Sequence, residues 1–294
     1  MDPVFFRMNA DFSNITILGG GLLGGSLALA LGSLVPPPRV RLWTRKIATA
    51  NTARELGIHE ATCELQQAVA GADLLVLAVP VGAMAALVAQ ALTAGLPAGC
   101  LVTDVGSVKR PPHQTISPVL AGHPVDFIGS HPMAGSERVG ISAANARLFD
   151  RAACLLTNDN HAPTALTEAL ERFWQSVGCR TTWLSAAEHD ALVARISHLP
   201  HIIAATAARI CLKNPLDGHF GGGGLRDTTR VSSGNPDMWA EILVENREAL
   251  LGPLRETIAD LGAVLAHLEH SDQEPVRQWL DIAKHQRDLL HPLF

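Results

Sequence analysis

The stretch Asn14-Ile15-Thr16-Ile17-Leu18-Gly19-Gly20-Gly21-Leu22-Leu23-Gly24-Gly25-Ser26 decides the fold. A short β-prone run enters G-x-G-x-x-G at Gly19, Gly21 and Gly24, and a Leu- and Ala-rich run of helical length follows from Leu22 to Gly32. Gly19 permits a tight turn off the strand, Gly21 lets backbone approach a pyrophosphate, and Gly24 lets helix and strand pack closely. The helix start, with Leu22 and Leu23 in its first turn, offers unpaired N–H groups and a partial positive charge to an anion. Such a loop alone is a weak signal. Between a strand and a helix, at the head of an alternating chain, it reads as a dinucleotide site.

The alternation continues outward. β-prone runs recur at Ile15–Leu18, Val40–Trp43, Leu74–Val79, Leu101–Asp104, Phe127–Ser130, Ala153–Thr157 and Thr181–Leu184, with helical stretches such as Val81–Thr93 and Pro163–Val177 between them. Strands this poor in charge, separated by helices, predict a Rossmann-type α/β domain, a doubly wound and mostly parallel sheet over residues 1–185. After Ser185 the strand signals stop. Ser185-Ala186-Ala187-Glu188 is a capping box that opens an apolar helix to about Leu212, interrupted by Pro200. Asn235-Pro236 opens a further helix to about His270, with a bend expected at Gly252-Pro253, and Ser271-Asp272-Gln273-Glu274 reads as a second capping box. Residues 186–294 are therefore predicted as an all-helical substrate and dimerisation domain, its helices more apolar than one chain can bury.

Composition narrows the class. The 294 residues are 47% hydrophobic and 17% charged with a net charge of −5, enough for a core and unsuited to neutralising nucleic-acid phosphates. No uninterrupted apolar run approaches the ~20 residues of a membrane span, and the first residues pair no basic segment with a long apolar one. Five cysteines, far apart and odd in number, predict free thiols in a reducing, cytoplasmic setting. The chain has no tyrosine, for which we have no physical account.

Cofactor choice is read at the end of the second strand, where Thr44, Arg45 and Lys46 stand in place of the carboxylate that holds a ribose 2′-hydroxyl. A hydroxyl with two cations suits a 2′-phosphate and predicts NADP, with NAD the alternative and Arg45 and Lys46 then only a solvated helix start. Val79 and Pro80, closing the Leu74 run, complete the expected cofactor edge.

Asp104-Val105-Gly106-Ser107-Val108-Lys109 lies past a strand's C-terminal end, where open α/β sheets bind ligands. Gly129-Ser130-His131-Pro132-Met133-Ala134-Gly135-Ser136-Glu137 follows the next run in the same way, while Ser197-His198-Leu199-Pro200-His201 and Arg226-Asp227-Thr228-Thr229-Arg230 lie in the helical half. A neutral imidazole at His131 suits a proton acceptor, although a histidine capping a strand end is the plainer alternative. His198-x-x-His201 and His267-x-Glu269-His270 have two-ligand metal spacing with no evident third ligand, so no metal is expected.

Together these motifs resemble the prephenate and arogenate dehydrogenases of tyrosine biosynthesis, over nearly the whole chain. The resemblance implies oxidation of a 4-hydroxycyclohexadiene with loss of CO2. It implies His131 as catalytic base and Ser107 as its partner toward substrate hydroxyl and nicotinamide. It also implies Arg230 on a substrate carboxylate and His201 on the side chain, with Ser197 one turn before His201. Ser136, Glu137 and Trp239 join the substrate wall, as His189 and Asp190 could. The expected substrate is prephenate, since Val231–Asn235 offers no carboxylate for the ammonium of arogenate. The alternatives are an arogenate dehydrogenase, another Rossmann-plus-helical dehydrogenase, or a silent NADP-binding sensor.

Overall fold

The computed structural model describes residues 11–135 and 138–290. In chain order, β1 (Asn14–Leu18), α1 (Leu22–Gly32), β2 (Arg39–Trp43), α2 (Ile47–Glu55), β3 (Glu60–Thr62), α3 (Leu65–Val69), β4 (Leu74–Leu77), α4 (Val81–Thr93), β5 (Leu101–Asp104), α5 (Arg110–Leu120) and β6 (Asp126–Phe127) build the first layer set. The strands form one parallel sheet in the order β3-β2-β1-β4-β5-β6. The order reverses between β1 and β4, so the C-terminal ends there diverge into a crevice. Burial explains the uncharged strands. Alternate residues face opposite sides, and Leu74 and Val76 enter one core with Leu27 and Leu31, while Leu75 and Leu77 enter the other with Met84 and Val88.

Next come β7 (Gly129–Pro132), β8 (Ala153–Thr157), α6 (Thr164–Ser176) and β9 (Arg180–Leu184), with β7 antiparallel and β9 parallel to β8. Here the structure corrects the expected single strand Phe127–Ser130. Its first part ends β6, and its second part starts a separate three-stranded sheet. The short β3 also escaped the reading, because Glu60-Ala61-Thr62 has no apolar alternation to announce it.

The helical half runs through α7 (Ala186–Val193), a π-helical turn (Ala194–His198), α8 (Leu199–Cys211), α9 (Gly223–Thr229), α10 (Pro236–Glu245), α11 (Arg247–Glu269) and α12 (Gln273–Asp288). The first capping box forms as read, with Ser185 and Glu188 each closing on the other's backbone N–H. Pro200 has no N–H for the Ile196 carbonyl, and the helix widens into the π turn beside it rather than breaking. Ala186–Cys211 is long and apolar enough to cross a membrane by composition. It nevertheless carries Glu188 and Arg195, and it buries Asp190, His189, His198 and His201 within the protein. We read it as a helix of packed protein.

Two helix boundaries differ from the reading. The helix from Pro236 is interrupted at Asn246, and α11 then runs on through Gly252-Pro253. Pro253 sits early in α11 and removes a single backbone bond, whereas Asn246 turns its side chain inward to polar partners described below. The second capping box does not form either. Ser271 adopts φ 57° and closes α11, with the N–H of Asp272 bonded to His267, so Asp272 takes the N-cap position of α12.

By packing, the chain divides into two compact units between Arg247 and Glu248. Every site residue discussed below belongs to the first.

Candidate active site

At the end of β1 the glycine loop has the shape its sequence requires. Gly19 has φ 128°, and a Cβ there would stand 2.1 Å from the Ala78 carbonyl oxygen. A Cβ on Gly24 would stand 2.0 Å from the carbonyl of Gly19, so helix and turn interlock only without side chains. Gly21 is different: a Cβ would meet nothing within 4 Å among the described residues. That open space lies against the first turn of α1, where Leu22 and Leu23 follow an N-cap with no side-chain capping bond. Uncapped N–H groups beside an open cradle fit a dinucleotide's phosphates.

Thr44 is buried beside this loop, its Cβ 3.2 Å from where a Gly20 side chain would begin. Arg45 and Lys46 follow it in the open, at the N-terminus of α2. Val79 and Pro80 lead from β4 into α4 on the same edge of the sheet.

One sheet position further, β5 ends in a wholly buried ion pair between Asp104 and Lys109. The second Asp104 oxygen accepts the Ser130 N–H at 3.0 Å, which ties β5 to β7 and fixes the strand that carries His131. Removing one partner of such a pair strands a buried charge, at a cost of ~3–5 kcal/mol. The pair is thus a brace under the site. Ser107 sits half-buried on the loop between these two residues.

His131 is buried on β7, its Nδ1 2.9 Å from Nε2 of His189. His189 Nδ1 lies 2.8 Å from Asp190 Oδ1. Asp190 also accepts the backbone N–H groups of Lys109 at 2.7 Å and Arg110 at 3.0 Å. Burial works against the Asp190 carboxylate, yet the hydrogen bonds from His189 and the two backbone donors hold its pKa below the ordinary value. Burial pushes the His131 pKa well down, helped by nearby His189, Lys109 and His198. It also lowers that of His189. Both imidazoles are neutral around pH 7.

On the helical side, the Asn246 amide donates to the Asp190 carbonyl and to His198 Nδ1, both at 2.9 Å. Burial lowers the His198 pKa to about 4. His201 stacks on Trp239, ring centroids 3.6 Å apart, and Gly234 closes over both: its Cβ would lie 2.4 Å from Trp239 Nε1 and 3.5 Å from His201. His198 Nε2 and His201 Nδ1 are buried with no hydrogen-bond partner among the described residues. Arg230 begins a 3-10 turn (Arg230–Ser233) that packs on α8, with its guanidinium exposed. Ser197 is half-buried in the π turn.

The expected residues thus separate into groups. His131 is joined to the helical half through His189, and His201 to Trp239. The partner of His131 Nδ1 is His189, where Ser107 was expected. Arg226, not Arg230, pairs with Asp227, and that pair is exposed. Ser136 and Glu137 lie outside the described residues. Lys109 and Asn246 were missed as supports, and His189 and Asp190 were read only as wall. The available signal was their place one turn into a capped helix, on its buried face.

Two family models match the chain in succession. The nucleotide-binding domain of prephenate dehydrogenase covers residues 27–183, and the prephenate dehydrogenase dimerization domain covers residues 185–282. This chain belongs to the prephenate dehydrogenase family. Among its relatives, the cyclohexadienyl dehydrogenase of Zymomonas mobilis is 36% identical over 268 residues, 89% of this chain and 90% of that protein. The structure of Aquifex aeolicus prephenate dehydrogenase with hydroxyphenyl propionate and NAD+ superposes with TM-score 0.85 at 25% identity, covering 96% of this chain and all of the other. Synechocystis arogenate dehydrogenase follows at TM-score 0.77 and 27% identity, over 93% of this chain and 98% of the other. The family match begins at Leu27, just past the glycine loop, so the loop's own geometry carries the phosphate-binding reading.

Proposed function

We propose that the chain catalyses the NAD(P)+-dependent oxidative decarboxylation of prephenate to 4-hydroxyphenylpyruvate, in tyrosine biosynthesis. The observation that carries this reading is the buried His131 on β7, paired with His189 and tied to the end of β5 through Asp104, in a chain of this family. The substrate's hydroxyl proton passes to the imidazole. A dinucleotide held at the glycine loop would supply the acceptor for the hydride of the carbon that bears this hydroxyl. The electron pair of the breaking ring–carboxylate bond then makes the ring aromatic, and the oxygen recovers a proton, so no net proton is released. Aromaticity drives the step, and the residues need chiefly to position the substrate and supply one base.

Ser107 would reach the substrate hydroxyl. Arg230 would hold a substrate carboxylate, and the unpartnered His198 Nε2 and His201 Nδ1 would meet substrate oxygens, beside Ser197, Trp239, Ser136 and Glu137. The glycine loop, Val79 and Pro80 would hold the dinucleotide, with residues 1–185 its domain and 186–294 the substrate and dimerisation domain. Thr44, Arg45 and Lys46 favour NADP, since among them they present two cations and no carboxylate. Five free cysteines support a cytoplasmic setting.

The test follows the near-ultraviolet absorbance of reduced nicotinamide with prephenate or arogenate and NAD+ or NADP+. Prephenate with NADP+ should give the highest kcat/KM. Oxidation of neither substrate would overturn the reading, and arogenate as the better substrate would turn it to the second reading, which the Synechocystis likeness favours. In the same assay, Arg45→Ala should raise KM for NADP+ far more than for NAD+. Equal changes would leave Arg45 a surface charge.

A homodimer through the helical half is supported by the dimerization-domain match and by exposed apolar side chains at Ile203, Ile210, Ile258, Leu261, Leu265 and Leu268. Light scattering should give twice the 31.2 kDa chain mass. A monomer at micromolar concentration would remove the shared interface.

A further inference from the structure

We infer that Asp190 and His189 are positioning residues that fix the proton of His131 on Nδ1 and leave Nε2 bare as the atom that accepts the substrate's proton. The inference rests on the proposed reaction for its use, but its structural content comes from the hydrogen bonds alone. An ionised carboxylate only accepts. Asp190 takes the backbone N–H groups of Lys109 and Arg110, which point fixed donors at it, so its contact with His189 Nδ1 places a proton on that nitrogen. Neutral His189 then has a bare Nε2. That atom faces His131 Nδ1 at 2.9 Å and can only accept, so His131 Nδ1 carries the proton. In water a neutral histidine prefers the opposite tautomer, and the relay reverses that preference.

The geometry leaves little room for another arrangement. His131 is held in β7 by pairing with Leu155 and by the Asp104 brace. Asp190 is held at its carboxylate from α5 and at its carbonyl by Asn246. His189 is wholly buried between them. In the step itself the substrate O–H bond breaks and its proton goes to His131 Nε2. The new positive charge is met through Nδ1–H by the His189 lone pair and, beyond it, the Asp190 charge. No second proton moves, and the carboxylate stays ionised.

The test is nuclear magnetic resonance of the full chain with isotope-labelled histidine, in which ring nitrogen and carbon shifts report the tautomer. His131 signals are assigned by their loss in His131→Asn. The wild-type protein should show His131 protonated on Nδ1. His189→Gln keeps an acceptor facing His131 and should keep that tautomer, with kcat within ~10-fold of wild type. His189→Met fills similar space without an acceptor, and it should move the proton to Nε2 and lower kcat by roughly 10²-fold. Its KM and dinucleotide affinity should stay close to wild type. An Nε2–H tautomer in the wild type overturns the inference, as does a folded, dinucleotide-binding His189→Met with unchanged tautomer and kcat. Should His189→Met not fold, the wild-type and His189→Gln spectra still decide. A wild-type chain that oxidises neither substrate yet shows the Nδ1–H form would sink the proposed reaction and leave the relay standing.

Discussion

His131→Asn should lower turnover by ~10²–10⁴-fold, the usual contribution of a positioned general base, while dinucleotide affinity stays within a few-fold. Asparagine keeps a polar group on β7 but has no nitrogen lone pair able to take the substrate's proton. Dinucleotide affinity should hold because the glycine loop at β1 and the turn after β2 make no use of this side chain. Stopped-flow binding and steady-state rates separate the two effects, and an unchanged turnover would remove His131 as the base.

The same residue sets an expected pH dependence. Burial first, then the neighbouring His189, Lys109 and His198, depress its pKa below the ordinary imidazole value. The bare-nitrogen form therefore persists into mildly acidic solution. Activity is lost only as pH falls through the depressed value, so the acid limb of kcat/KM should lie below that of a free histidine near ~6.5.

Arg230→Ala should raise KM for the substrate by ~10–150-fold with a smaller fall in turnover. The range follows from one charge-assisted bidentate bond to a carboxylate, worth ~1.5–3 kcal/mol. That carboxylate is remote from the carbon that gives up hydride, so most of the interaction exists already in the ground state. The guanidinium is exposed, on the turn that packs against the helix of His201, where an incoming dianion would meet it. Arg230→Lys should recover only part of the loss, because an ammonium has no planar fork. Dinucleotide affinity should not move, as Arg230 lies far along the chain from the glycine loop, in the helical half. Lost dinucleotide binding, or an unchanged substrate KM, would displace the substrate pocket from this turn.

The parallel sheet was legible because its central strands are buried on both faces and Gly19 and Gly24 admit no side chain at the turn off β1. Local chemistry also announced the Ser185–Glu188 box and the Asn235 cap, each a bond within four residues of chain. Where a signal was equally local but a competing use of the residue won, the reading failed. Ser271 has the spacing of an N-cap, yet it serves to close α11. The interruption at Asn246 had no such local signal, for its inward partners are His198, 48 residues away, and Asp190, 56 residues away.

By itself, the sequence determined the α/β class and the glycine loop and singled out His131 as the proposed base, because each depends on residue type and short-range spacing. Only the tertiary structure decided what His131 leans on. His189 is 58 residues further along the chain, and Asp190 finds its backbone donors 80 and 81 residues away. No periodicity or motif encodes such pairings. They arise when β7, α5 and α7 pack together and every buried donor and acceptor must find a partner that water no longer supplies.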